Sequence, residues 1–174
     1  MGKTVISFGL SVKEINRAIR EVEKFKRDFE RKVEEYRRKV AEAISNDAQL
    51  GFNGAVLSDV IKGSTRQPEV TVSVEERGDI TVVVANGEDA VWVEFGAGVH
   101  HNGSVGSSPN PYGGELGFTI GSYGKGYGKA QAWGYYDENH NLVLTRGTPA
   151  AMPMYNAAEA VAKEAIKIAR EVFV

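Results

Sequence analysis

Three histidines, His100, His101 and His140, and one carboxylate closing an apolar run, Glu94, are the groups of this sequence best suited by type to do chemistry. A metal-dependent hydrolase would need Glu94 and His100 to converge as an acid–base or ligand pair. Adjacent side chains in an extended segment point to opposite faces, so His100 and His101 make a poor chelate. Neither G-x-S-x-G nor H-E-x-x-H occurs. With no cysteine there is no thiolate ligand or nucleophile. The histidines read as solvated loop residues, and the sequence assigns no catalytic residue, metal ligand or cofactor.

Phosphate and nucleic acid are the other chemistries to weigh. "GSYGKGYGKA" resembles a phosphate-cradling loop, but Gly128-Lys129 is followed by Ala130, and Tyr123 stands five residues before Gly128. "MGKT" has the closing residues with no strand or loop before it, and "GAGVHHNG" lacks the dinucleotide spacing. Tyr123, Lys125, Tyr127 and Lys129 alternate rings with cations, as single-strand binders do. Glycine separates each pair, however, and only two lysines take part. The alternative is an arm or hairpin whose tyrosines pack on a neighbouring protein, and that reading is preferred. A net charge of -2 also lacks the basic excess of a general polyanion binder.

The elements that would position these groups follow from periodicity. At 174 residues the chain suits one domain, spanning 1–174. The N-terminal "KTVISFGL" is a short β-type run. "SVKE", from Ser11 to Glu14, is a capping box opening a long helix over about 12–50. Ile15, Ile19, Val22, Phe25, Phe29, Val33, Tyr36, Val40 and Ile44 make one stripe along it at steps of three and four. Such a helix, at about 58 Å, exceeds the expected width of the domain. It must therefore break near "SNDAQLG" or project onto another subunit.

Residues 51–68 read as a loop with at most one helical turn. A β-region over about 69–146 follows. "EVTVSVEE" and "DITVVVA" flank Arg77-Gly78 as a hairpin, and "AVWVEFG" reads as a third strand. "AQAWGYY" and "NLVLTRG" form a second hairpin around the four residues "DENH". Pro153 suits the first turn of a last helix over about 153–173. The fold class is α+β: a long N-terminal helix, a small mainly antiparallel β-sheet with a long Gly-rich loop, and a C-terminal helix. No apolar run is long enough to span a bilayer, so the expectation is a soluble, intracellular protein.

Within the expected strand, Trp92 and Glu94 share one face, and Val91, Val93 and Phe95 the other. Glu94 is then either an anchor, accepting backbone hydrogen bonds that pin the root of the loop, or an ordinary exposed strand-end residue. The Gly-rich insertion at 96–130 is too long for a simple connection, and so much glycine is costly to order. Folding on a partner suits it. Truncating residues 103–128 is expected to leave a folded chain.

"AVWVEFGAG", a polar insertion, then "RGTPAAMPMYNAA" leading into a terminal helix resemble the tail-completion (neck, minor tail component, head–tail joining) proteins of siphophages and prophages. Glu94, Phe95 and Gly96 match that family's E-F-G segment. Ala151, Pro153 and Ala158 match its A-x-P opening of the last helix, with Met154 replacing the usual phenylalanine and Ala97 the usual hydroxyl residue. The resemblance implies a non-enzymatic morphogenesis protein that forms a ring, commonly a hexamer, on the end of the tail tube. Its partners would be itself, the tail tube protein and head connector proteins. DNA would pass through the channel without specific binding, and no membrane is involved. Its place would be the host cytoplasm during assembly and then the virion. Glu94, Phe95, Gly96 and Pro153 would shape the loop root and the start of the last helix. Tyr123, Lys125, Tyr127 and Lys129 would lie on the assembly surface.

Overall fold

Ser11 opens the first helix. Its backbone is extended (φ -76°, ψ 146°) and its hydroxyl accepts from the Glu14 amide at 3.3 Å while donating to the Glu14 carboxylate at 2.6 Å. The helix it starts, α1, runs unbroken over Val12–Gly54, 43 residues, or about 64 Å at ~1.5 Å per residue. The break expected near "SNDAQLG" does not occur. The computed structural model describes residues 5–7, 9–59, 63–98, 108–116, 133–145 and 147–174. Among the described residues of the first β-type run, 5–7, 9 and 10, none lies in a strand. Without a paired neighbour, β-propensity alone does not make one.

Residues 51–68 depart from the expected loop. Residues 51–54 complete α1, after which β1 (Leu57–Asp59) and β2 (Ser64–Arg66) pair antiparallel. β3 (Thr71–Arg77) and β4 (Ile80–Asn86) form the first expected hairpin. Arg77 pairs with Ile80, so the turn is Gly78-Asp79, one residue later than the sequence reading placed it. Gly78 has a φ of +60°, a conformation glycine adopts freely. The hairpin lies along α1. Gln49 bonds the Val70 carbonyl and the Val72 amide at its base, and Arg37 donates to the Asp79 carbonyl at its tip.

The third expected strand is instead a helix, α2 (Ala90–Phe95). Ala90, Val93 and Glu94 are the buried residues, at i, i+3 and i+4. That is one face of a helix, whereas a strand would separate Val93 from Ala90 and Glu94. Beyond it, β5 (Ala97–Gly98) pairs with β8 (Gly147–Thr148). β6 (Trp133–Tyr136) and β7 (Leu142–Thr145) form the second expected hairpin. Its loop is Asp137–Asn141, held by the Asp137 carboxylate accepting from the Asn139 and Asn141 amides. Among the described residues the strands thus make four two-stranded antiparallel ladders. α3 (Pro153–Phe173) ends the chain with the boundaries its sequence pattern predicts.

α3 packs antiparallel on α1. Pro153 at its start lies against Gly51, where an added Cβ would approach the Pro153 Cβ to 2.8 Å. Phe173 at its end meets Phe29 and Tyr36, with ring centroids 5.9 and 6.1 Å apart. The core sits at the far end of α1, where Phe52, Leu57, Val70, Ala90 and Val93 are buried together. Ala55, Val72, Ala85 and Met154 pack around them. The overall class is α+β, as the sequence indicates. No helix among the described residues is long and apolar enough to cross a membrane.

Candidate functional site

α3 begins without a cap of its own. The residue before it, Met152, sits in the left-handed region (φ 54°) and offers no oxygen to the orphan amides of the first turn. Pro153 follows, contributing no N–H. The next two amides, Met154 and Tyr155, are those that an N-cap side chain would bind. Glu94 binds both from α2: Oε2 accepts from Met154 at 2.8 Å and Oε1 from Tyr155 at 3.0 Å. The cap of α3 is therefore borrowed from a residue 60 positions earlier. The negative charge also faces the positive end of the helix dipole.

A third segment joins at the same carboxylate. Asn110 donates from Nδ2 to Glu94 Oε1 at 2.9 Å, and its Oδ1 accepts from the Tyr112 amide at 3.0 Å. Asn110 is 2% exposed and Glu94 7% exposed, so these bonds form out of water. Ser108 is also buried, and donates to the Phe95 carbonyl. The Tyr112 ring meets Tyr155 edge-on at 6.2 Å. Residues 108–116 are thus an anchored island inside the Gly-rich insertion. Truncating 103–128 would remove that island together with its bonds to Glu94 and Phe95.

Burial pushes the Glu94 carboxyl above its usual range, and the Met154, Tyr155 and Asn110 donors oppose that shift without overcoming it. Asp89, one residue before α2, behaves oppositely. Burial raises its pKa, but the Arg66 guanidinium, binding both oxygens at 2.6 and 2.8 Å, and the Glu69 amide outweigh this. The Asp89 carboxyl is therefore held below its ordinary range.

The backbone around Glu94 is as constrained as its side chain. Gly96 ends α2 with φ +80°, and a Cβ there would stand 3.0 Å from the Ala150 nitrogen. The Ala151 amide donates to the Val93 carbonyl at 2.9 Å. Gly87, preceding α2, has φ +144°, and a Cβ there would fall 2.0 Å from the Glu69 carbonyl oxygen. The residues singled out at the loop root and helix start, Glu94, Phe95, Gly96 and Pro153, are brought to one joint. The anchoring alternative for Glu94 is the observed one, its donors being the Met154 and Tyr155 amides of α3 and the Asn110 side chain.

Tyr123, Lys125, Tyr127 and Lys129, assigned to an assembly surface, lie outside the described residues, as do His100 and His101. His140 is exposed in the β6–β7 turn at φ 61°. Both Glu94 oxygens accept from donors within the joint, and the described residues bring no histidine to it. Among the described residues no three His, Asp or Glu side chains come together as a metal site. Sequence reasoning missed Ser108, Asn110, Asp89 and Arg66. "NPYG" at 110–113 carries a usable signal, since asparagine before proline favours a side chain–backbone turn. No protein-family model matches this chain, and no curated protein or solved structure matches it.

Proposed function

We propose that this chain is a structural component of a siphophage or prophage tail. It completes the tail tube, self-associates as a ring and joins the tail to the head connector. One observation carries the reading. The E-F-G and A-x-P segments, which bear the resemblance and are separated by more than fifty residues, meet in a single joint. There Glu94 caps α3, Gly96 packs on Ala150 and Pro153 seats the helix on α1. The motif residues serve architecture, which supports an assembly role rather than turnover of a small substrate. α1 adds to this, since it is twice the length of α3, the longest described element packed on it.

The test is genetic and morphological. A phage carrying this gene with an early stop codon should accumulate DNA-filled heads and separate tails, visible by negative-stain microscopy. Purified protein added to that lysate should restore infectious particles. Complete particles made without the protein would refute the proposal.

A further inference from the structure

We infer that the outer edge of β4 is a strand-docking site, and that β4 of a second copy occupies it, antiparallel and two-fold symmetric about Val83. The inference goes beyond the ring reading and does not depend on it.

Main-chain hydrogen bonding separates the two edges of the β3–β4 hairpin. Its two-residue turn, Gly78-Asp79, is closed by Arg77 and Ile80, so that pair exchanges both backbone bonds. Alternation then gives the ladder bonds to Glu75–Val82, Ser73–Val84 and Thr71–Asn86. The N–H and C=O groups of Val72 and Val74 are turned outward on β3, and those of Thr81, Val83 and Ala85 outward on β4. The contacts of Val72 agree with this phase. Its amide donates to Gln49 Oε1 at 2.8 Å, and its carbonyl accepts from Ser45 at 3.4 Å. Val70, two residues earlier, has its carbonyl bonded by Gln49 at 3.0 Å. α1 thus covers the β3 edge at its base.

The β4 edge has no such cover. Among the described residues, no hydrogen bond reaches the outward groups of Thr81, Val83 or Ala85. β3 and α1 are the main neighbours of β4 among the described elements, and α1 bonds the hairpin from its β3 side. Native edge strands are usually blunted by charge, proline or a bulge. β4, "ITVVVAN", has no charged residue and no proline. Its ladder with β3 is unbroken from Thr71–Asn86 to Arg77–Ile80. Alternating backbone donors and acceptors left open along a strand are matched by one kind of occupant, another extended strand.

The residues of β4 select which strand. Among the described strands only β3 equals its seven-residue length, and β3 carries Glu75, Glu76 and Arg77 and lies against α1. β4 is complementary to itself. In an antiparallel pairing of two copies, all three outward residues are engaged only when Val83 faces Val83. The two Val83 residues then exchange both bonds, and Thr81 does the same with Ala85 of the other copy. Val82 comes to lie opposite Val84, which joins the apolar outer faces. The nearest charges, Asp79 and Glu88, fall opposite Gly87 and Gly78 of the other copy, so no like charges meet. Such a contact is isologous and closes at two copies.

Sedimentation velocity and amide hydrogen exchange of the full chain, each over a concentration series, test the site. The wild type should pass from monomer to dimer. Over the same range the Thr81, Val83 and Ala85 amides should become protected, while Val82 and Val84, already bonded to β3, should change little. Val83→Pro deletes an outward amide and no bond to β3. It removes the central pair of bonds at the seam and should raise the dimer Kd at least about tenfold. Val82→Lys alters the outer face without touching the β4 backbone. It sets two ammonium groups about 7–8 Å apart across the seam and should weaken the dimer by a factor that shrinks as salt is added. Circular dichroism checks that each variant is folded. A wild type that stays monomeric, its edge taken only by a strand of some other protein, overturns the inference. So does association that leaves the three amides as exchangeable as in dilute solution, or a folded Val82→Lys chain that dimerises like the wild type.

Discussion

Replacing Glu94 tests the joint most directly. Glu94→Ala removes one carboxylate and strands three donors: the Met154 and Tyr155 amides and the Asn110 side chain. Each buried donor left without a partner costs about 1–3 kcal/mol. Against this, the variant no longer buries a carboxylate whose pKa burial has raised. The balance is a loss of about 3 kcal/mol, toward the lower end of the sum of three. In a domain of this size that lowers Tm by about 6–12 °C. Glu94→Gln keeps the shape but points an amide N–H at a backbone N–H, so it should recover only part of the loss. Calorimetry supplies the Tm, and hydrogen exchange at Met154 and Tyr155 reports on the cap itself. A Glu94→Ala protein within about 0.5 kcal/mol of wild type, with both amides as protected as before, would refute the account.

Other consequences are open to measurement. The folded pKa of Asp89 is lowered from 3.8, so its stabilisation is present above that value and lost as pH falls through the folded pKa. Asp89→Asn should accordingly be destabilised at neutral pH, with the gap to wild type closing below pH 3.8 in denaturant titrations. For Glu94 the sign reverses: its contribution is fully present below 4.5 and declines as pH rises through the raised folded value. The stability difference between wild type and Glu94→Gln should drift in that direction over the same titration. Gly87→Ala should cost at least about 2 kcal/mol in chemical denaturation, because its backbone is strained for an L-residue and its Cβ would meet the Glu69 carbonyl. Deleting 103–128 takes Ser108, Asn110 and Tyr112 with it, and should lower Tm measurably in a melt compared with a deletion confined to 103–107.

The elements legible in the sequence were those with long repeats or explicit end signals. α1 had a stripe of nine apolar residues and a Ser11–Glu14 cap. α3 had Pro153 and a one-faced apolar pattern. The two hairpins had glycine or asparagine at their turns. α2 was illegible because "AVWVEF" is too short for a period of 3.6 to show, and its β-branched residues alternate like a strand. What decides its conformation is burial of Ala90 and Val93 against Phe52, a tertiary effect. β1 and β2 escaped for a similar reason, each being three residues long. At the joint, the chemistry of Glu94 could be anticipated but not its donors, since no local pattern tells a carboxylate at 94 that the open end of a helix lies at 154.

The placement of α3 also bears on how the molecule is made. A ribosome releases α1 long before it releases the segment that will cover it, so the whole row of apolar side chains emerges bare into the cell. The β3–β4 hairpin reaches the stretch from Arg37 to Gln49 first, and α3 covers its side of the half from Phe29 onward only when residues 153–173 leave the tunnel. In that interval the flanking ion pairs, Arg17–Glu21, Lys26–Glu30, Arg31–Glu35 and Arg38–Glu42, keep a charged flank turned to water. The emergence of α3 sets the moment at which that row is covered.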